Sequence, residues 1–202
     1  MKTAITKEQI KNIQIDHGVL YRNYGLEDQE LIAPLRGGTN FKVEREYRNI
    51  EIDGLEGKTK GLKTMDDENA TLTAKTLNAS LQTFADKLPG ATVTKTEGKI
   101  TKIEAGHIGI IDEDAYIKNI TMFAQTIGGE FIKVTITNAL DENGLDFSAV
   151  QKAEGEIELV YSAHHTYDEE APLYTIENVD SIEETTNSEN QEENQEENQE
   201  NN

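Results

Sequence analysis

The strongest constraint on the fold of this chain is a two-residue rhythm of apolar and polar side chains. In "GEIELVYSAHHTY", Ile157, Leu159, Tyr161 and Ala163 share one parity, and Glu156, Glu158, Ser162 and His164 share the other. Successive side chains of a strand point to opposite faces, so this rhythm predicts a strand with one wet face and one dry face. "EFIKVTITNAL" repeats it with Ile132, Val134 and Ile136. The pair Gly128-Gly129 between two such runs predicts a short-looped hairpin, and Asn143-Gly144 predicts a further turn. Only "LNASLQTFADKLPG" switches period. Leu77, Leu81, Phe84, Ala85 and Leu88 recur at helical spacing, with Asn78 as the expected N-cap and Pro89-Gly90 as the stop. Seven or eight strands with one helix at about 77–88 predict a mainly β chain, a sandwich or barrel-like body with the helix on its flank.

One segment departs from this pattern. "RGGTNFKVEREYRNIEIDGLEGKTKGLKTMDDENATLTAKTL", residues 36–77, is strand-like but too polar to be a core. Phe41, Val43 and Tyr47 share a parity that Ile50 and Ile52 do not, which implies a bulge or a strand end near Arg48-Asn49. Gly54, Gly57 and Gly61 then mark tight bends. Two strands joined by a long projecting loop or hairpin result. Basic Arg45, Arg48, Lys58, Lys60 and Lys63 are interleaved with acidic Glu44, Glu46, Glu51, Asp53, Glu56, Asp66 and Asp67. Such mixed charge suits solubility and suits docking between copies, and composition does not choose between them.

The net charge of −20 is unevenly spread. Ten of the 39 acidic residues lie after Ile176, where there is no Lys or Arg, leaving 29 acidic against 19 basic in residues 1–176, a net of −10. An acidic body does not attract DNA or anionic membrane. The last residues, "SIEETTNSENQEENQEENQENN", repeat N-Q-E-E and contain no aromatic, so they cannot offset their ordering entropy. The expected division is a body at 1–177 and a disordered acidic tail at 178–202. The start of the chain carries no apolar run of signal-peptide type, and no stretch approaches the roughly 20 apolar residues of a membrane helix.

Chemistry-bearing patterns are scarce. No nucleotide-binding glycine loop, zinc-protease, serine-elbow or EF-hand spacing occurs. His164 and His165 are strand neighbours that point apart, and His17 and His107 stand alone beside glycines, so no metal or cofactor is expected. "DDEN" at 66–69 lacks the glycine and bidentate Glu of a calcium loop. No enzyme is expected.

The strings "GVLYRNYG", "RGGTNFKVEREYRNIEIDGLEGKTKGL", "AYIKNITMFA", "KVTITNALDENGLDFS" and "AEGEIELVYSAHHTYDEEAPLYTI" resemble the major tail tube proteins of long-tailed (siphophage-like) bacteriophages of Gram-positive hosts, over roughly Asp16 to Ile176. The resemblance implies a virion structural subunit that self-assembles into stacked, commonly hexameric rings. It further implies a β-lined channel for DNA delivery into the host, and assembly in the host cytoplasm. Implied partners are further copies, the tape-measure protein, the tail terminator and the tail-tip or baseplate proteins. DNA is implied only as passing cargo, and no membrane is implied. In that family a long loop between two early strands reaches the adjacent ring. Here it corresponds to about Arg48 to Asp67, including Asp53, Gly54, Glu56, Gly57, Lys58, Lys60 and Asp66. Glu156 and Glu158 are the candidate channel-facing carboxylates. The alternatives are a tube subunit of a genome-free phage-derived particle and a monomeric virion binding module.

Overall fold

The computed structural model describes residues 5–16, 18–106, 108–149, 151–167 and 171–182. His17, His107 and the N-Q-E-E repeat lie outside them. The described chain runs α1 (Lys7–Lys11), β1 (Val19–Arg22), β2 (Glu30–Ile32), β3 (Leu35–Asn49), β4 (Lys63–Thr76), α2 (Leu81–Asp86), β5 (Thr92–Thr96), β6 (Lys99–Glu104), β7 (Ile117–Gln125), β8 (Phe131–Asp141), β9 (Ile157–Ser162) and β10 (Tyr174–Val179). It is mainly β, with the antiparallel order β2-β1-β7-β8-β9-β4-β3, β10 added to β8, and β5-β6 as a separate hairpin. The body boundary expected at 177 falls inside β10.

The sandwich closes because β8 changes neighbours along its length. Residues Phe131–Ile136 pair with β10, whereas Leu140 and Asp141 pair with β9. The change occurs at Asn138, whose φ of 46° is left-handed backbone that asparagine tolerates better than most residues. Its side-chain amide donates to His164 O at 3.2 Å and to Thr166 Oγ1 at 2.8 Å. The His164 ring lies with Nδ1 3.1 Å from both Asn138 O and Ser162 O, and stacks edge-on against Tyr116. This histidine therefore braces a corner between sheets.

Between the two sheets the alternating residues meet as the sequence predicts. Leu20, Ile120, Met122, Val134 and Ile136 face Ala70, Leu72, Ala74, Ile157, Leu159 and Tyr161 in one buried cluster. Each large apolar side chain so buried contributes about 1.5–3 kcal/mol. The Gly128-Gly129 turn joins β7 to β8, and Asn143 ends β8 by donating its N–H to Asp141 Oδ1.

The helix differs from expectation. It starts at Leu81, capped by Ser80, whose hydroxyl accepts from Thr83 N at 3.1 Å. Asn78 does not cap it, because it lies two residues before the cap position; its N–H donates to the Thr76 hydroxyl at 3.0 Å, and Leu77 N donates to Pro34 O. These bonds keep the chain extended past β4. An additional short helix, α1, was not expected; Thr6 and Gln9 form its capping box.

The flank of α2 is anchored by charge. Lys87, 2% exposed, places Nζ 2.7 Å from Oδ1 of the fully buried Asp141, whose Oδ2 also accepts from Val160 N at 2.8 Å. Removing one member of such a pair strands the other in the interior. Nearby, Asp86 accepts from Gln82 Nε2 at 2.8 Å and lies 3.3 Å from Arg22 Nε, which is buried and not aligned for a hydrogen bond. Burial therefore outweighs Arg22, and the Asp86 carboxyl is pushed up to about 6, with Glu30 and Asp141 adding to the rise.

Two predictions follow from this anchor. Lys87→Ala destabilises the fold by about 3–5 kcal/mol in urea unfolding. For Asp86, the folded carboxyl keeps its proton up to about pH 6, whereas the unfolded one loses it near 3.8. The native state thus binds the extra proton between these values, so stability falls as pH rises through that window. Asp86→Asn removes this slope. The wild-type minus variant stability is expected to decline from about pH 4 to pH 6 by an amount on the order of 3 kcal/mol, and a pH-independent difference would refute the assignment.

Candidate assembly surface

β3 and β4 pair over nearly their entire length, from Leu35↔Thr76 out to Asn49↔Lys63. Only the inner half packs on the body. Residues 44–69 include no buried side chain, so the outer half projects as a two-stranded ribbon. The turn proper is residues 50–62, held by Ile50 N donating to Leu62 O at 2.7 Å. Gly54, Gly57 and Gly61 take φ of 77–90° with open space around them, so the backbone conformation, not crowding, calls for glycine there.

The sequence-selected residues divide accordingly. Asp53, Gly54, Glu56, Gly57, Lys58 and Lys60 lie in the tip, whereas Arg48 stands on β3 and Asp66 and Asp67 on β4. The parity change near Arg48-Asn49 marks the strand end, since β3 stops at Asn49. A bulge also occurs, farther in and on β4. Glu46 pairs with Asp67 and Tyr47 with Met65, leaving Asp66 as the extra residue. Its carboxylate accepts from Arg48 Nε at 2.9 Å.

The bulge decides what the ribbon presents. On β3 the core-facing parity is Phe41, Val43, Arg45 and Tyr47; on β4 it is Leu72, Ala70 and Glu68, and then, across Asp66, Met65. The face that forms the core inside the body thus continues outward. At the junction Arg45 ion-pairs with Glu68 and donates to Tyr174 OH at 2.8 Å, and that hydroxyl donates to Glu68 Oε1 at 3.2 Å. Farther out, Tyr47 and Met65 oppose each other, each about half exposed, with the Lys63 ammonium 4.4 Å from the Tyr47 ring centroid. Ile50, Ile52 and Leu55 extend the exposed apolar surface. An isolated two-stranded ribbon is marginally stable in water, and its exposed apolar side chains make this face a candidate contact surface.

Unpaired edges add to this surface. Among the described residues β2, β3 and β10 each bond to one neighbour only. A 15-residue edge such as β3 is a template for another strand.

The carboxylates chosen from the sequence have different surroundings. Arg36 donates to Glu156 Oε1 at 3.1 Å and to Glu154 Oε2 at 3.0 Å, and these bonds hold both carboxyls below the usual range. Lys75 Nζ lies 3.5 Å from Glu156 Oε2. Glu158, on the exposed face of β9, makes no ion pair among the described residues. Arg36 and Tyr174 were missed in the sequence because their partners lie more than a hundred residues away. Among the described residues no group of three or more His, Asp and Glu could hold a metal ion, and no helix is long and apolar enough to cross a membrane.

No protein-family model and no curated protein matches this chain. Several chains of solved structures are similar, among them two from gene transfer agent particles. One is a chain of the virion of a native gene transfer agent particle, at 13% identity and a TM-score of 0.35, covering 73% of this chain and 92% of that one. The other is a chain in the tail of an empty gene transfer agent particle with C6 symmetry, at 14% identity and a TM-score of 0.34, covering 74% and 92%.

Dilute protein treated with trypsin should be nicked first at Lys58 or Lys60 in the tip, while the body keeps its thermal midpoint. Initial cleavage at Lys75 or Lys133 would show that the ribbon is better protected than its exposure implies.

Proposed function

We propose that this chain is a structural subunit of a phage tail tube, whose copies close into rings, six to a ring, that stack around a channel for DNA delivery. The observation that carries this reading is the ribbon, a core-facing strand surface prolonged beyond the body with nothing of its own chain to cover it. The three open sheet edges support the same reading, because ring closure between copies would satisfy them. So does the sequence resemblance over Asp16 to Ile176, which supplies the ring number, the virion location, the cytoplasmic assembly and the tape-measure, terminator and tip partners.

A channel for a polyanion must not hold it. Six bodies at −10 each give a ring of about −60, which repels DNA at long range. Just before β9 the negative charge is partly balanced, since Arg36 and Lys75 engage Glu154 and Glu156. Glu158 is then the stronger candidate for an uncompensated wall carboxylate, and Glu156 a locally neutralised one.

Negative-stain microscopy of concentrated protein tests the reading: hollow tubes are expected. Replacing residues 51–61 by Asn-Gly, a turn suited to a two-residue hairpin, should leave the monomer folded and abolish stacking. Wild-type protein that remains monomeric at millimolar concentration would refute the proposal.

A further inference from the structure

The ribbon tip needs an acceptor, and one surface of the same chain complements it in exposed apolar residues and in charge. In the tip, Ile50, Ile52 and Leu55 are about half exposed and alternate with Glu51, Asp53 and Glu56, none of which makes an ion pair among the described residues. The charges lower on the ribbon, in contrast, are paired with each other, as in Arg45–Glu68 and Arg48–Asp66.

Residues 5–15 form an arm of the opposite character. Ile10, Ile13 and Ile15 are exposed, and Lys7 and Lys11, one helical turn apart on α1, make no ion pair among the described residues. The backbone of this arm is nevertheless fixed. Ile15 N donates to Gln125 O at 3.0 Å, Ile127 N to Ile13 O at 2.9 Å, and Gly128 N to Lys11 O at 2.9 Å. Isoleucines held outward on a tethered backbone form a surface arranged in advance for contact, with little ordering cost left on binding.

We propose that the ribbon tip of one copy docks on the N-terminal arm of a second copy. The tip isoleucines lie against those of the arm, Glu51, Asp53 and Glu56 face Lys7 and Lys11, and Lys58 and Lys60 face Glu8. Because tip and arm are different surfaces, the contact is head-to-tail and propagates instead of closing into a dimer. It rests on the assembly proposed above and specifies the surface that receives the ribbon.

Charge exchange in the full-length chain tests it. Lys7→Glu with Lys11→Glu should raise the critical concentration for assembly at least about tenfold, since like charges then meet across the contact. Adding Glu51→Lys and Asp53→Lys to the same chain should return it to within about threefold of wild type. Thermal melts of each variant at low concentration, unchanged from wild type, separate lost docking from lost folding. Arm variants that assemble at the wild-type concentration, or impaired ones that the tip exchange fails to rescue, overturn the docking while leaving the tail-tube reading intact. A wild-type chain that never assembles overturns both.

Discussion

The structure depends on β8 belonging to two sheets. Its first residues extend the sheet that carries β10, its last two start the sheet that carries β9, and the left-handed Asn138 allows the change. Everything on the helical flank is fastened at that end of the strand. Asp141, fully buried, accepts backbone N–H groups from its own turn and from β9 and receives Lys87 from beyond α2. One carboxylate thus ties helix, turn and both sheets. Hydrogen bonds to a desolvated charge are stronger than neutral ones, which suits a joint where three elements converge.

The outer ribbon has the opposite energetics. Its ion pairs are exposed, and each such pair contributes only about 0–1 kcal/mol. Its apolar residues are half in water. A segment so built is held by its ladder and by the Arg45–Glu68–Tyr174 junction, and gains burial only when another surface arrives. The contrast between a joint fastened by buried charge and a ribbon left unfinished fits the proposed assembly: a body that is independent and a contact that is not.

The parts of this fold legible in the sequence were those set by local rules. Ile157, Leu159 and Tyr161 are buried where alternation places them, and Gly128-Gly129 turns the chain. The projection of the segment around residues 48–67 was readable from its charge and glycines. What escaped depended on distant partners or on competition for single bonds. Asn78 lost its capping role to the hydroxyl of Ser80, two residues later, and Lys87, which reads as a solvent-facing residue, is buried because a carboxylate 54 residues on awaits it. The change of parity after Tyr47 reads as the end of β3 at Asn49, whereas the extra residue Asp66 on β4 escaped, because alternation within one strand cannot show an insertion in its partner.

That extra residue has an evolutionary corollary. Asp66 restores the phase of β4 so that Met65 rejoins the side on which Leu72 and Ala70 lie. Lengthening or shortening the outer ribbon by one residue on one strand would turn its contact row toward the wrong side, whereas matched changes on both strands would preserve it. Natural variation in reach should therefore come as paired insertions and deletions, with isolated single-residue gaps selected against between the bulge and the body.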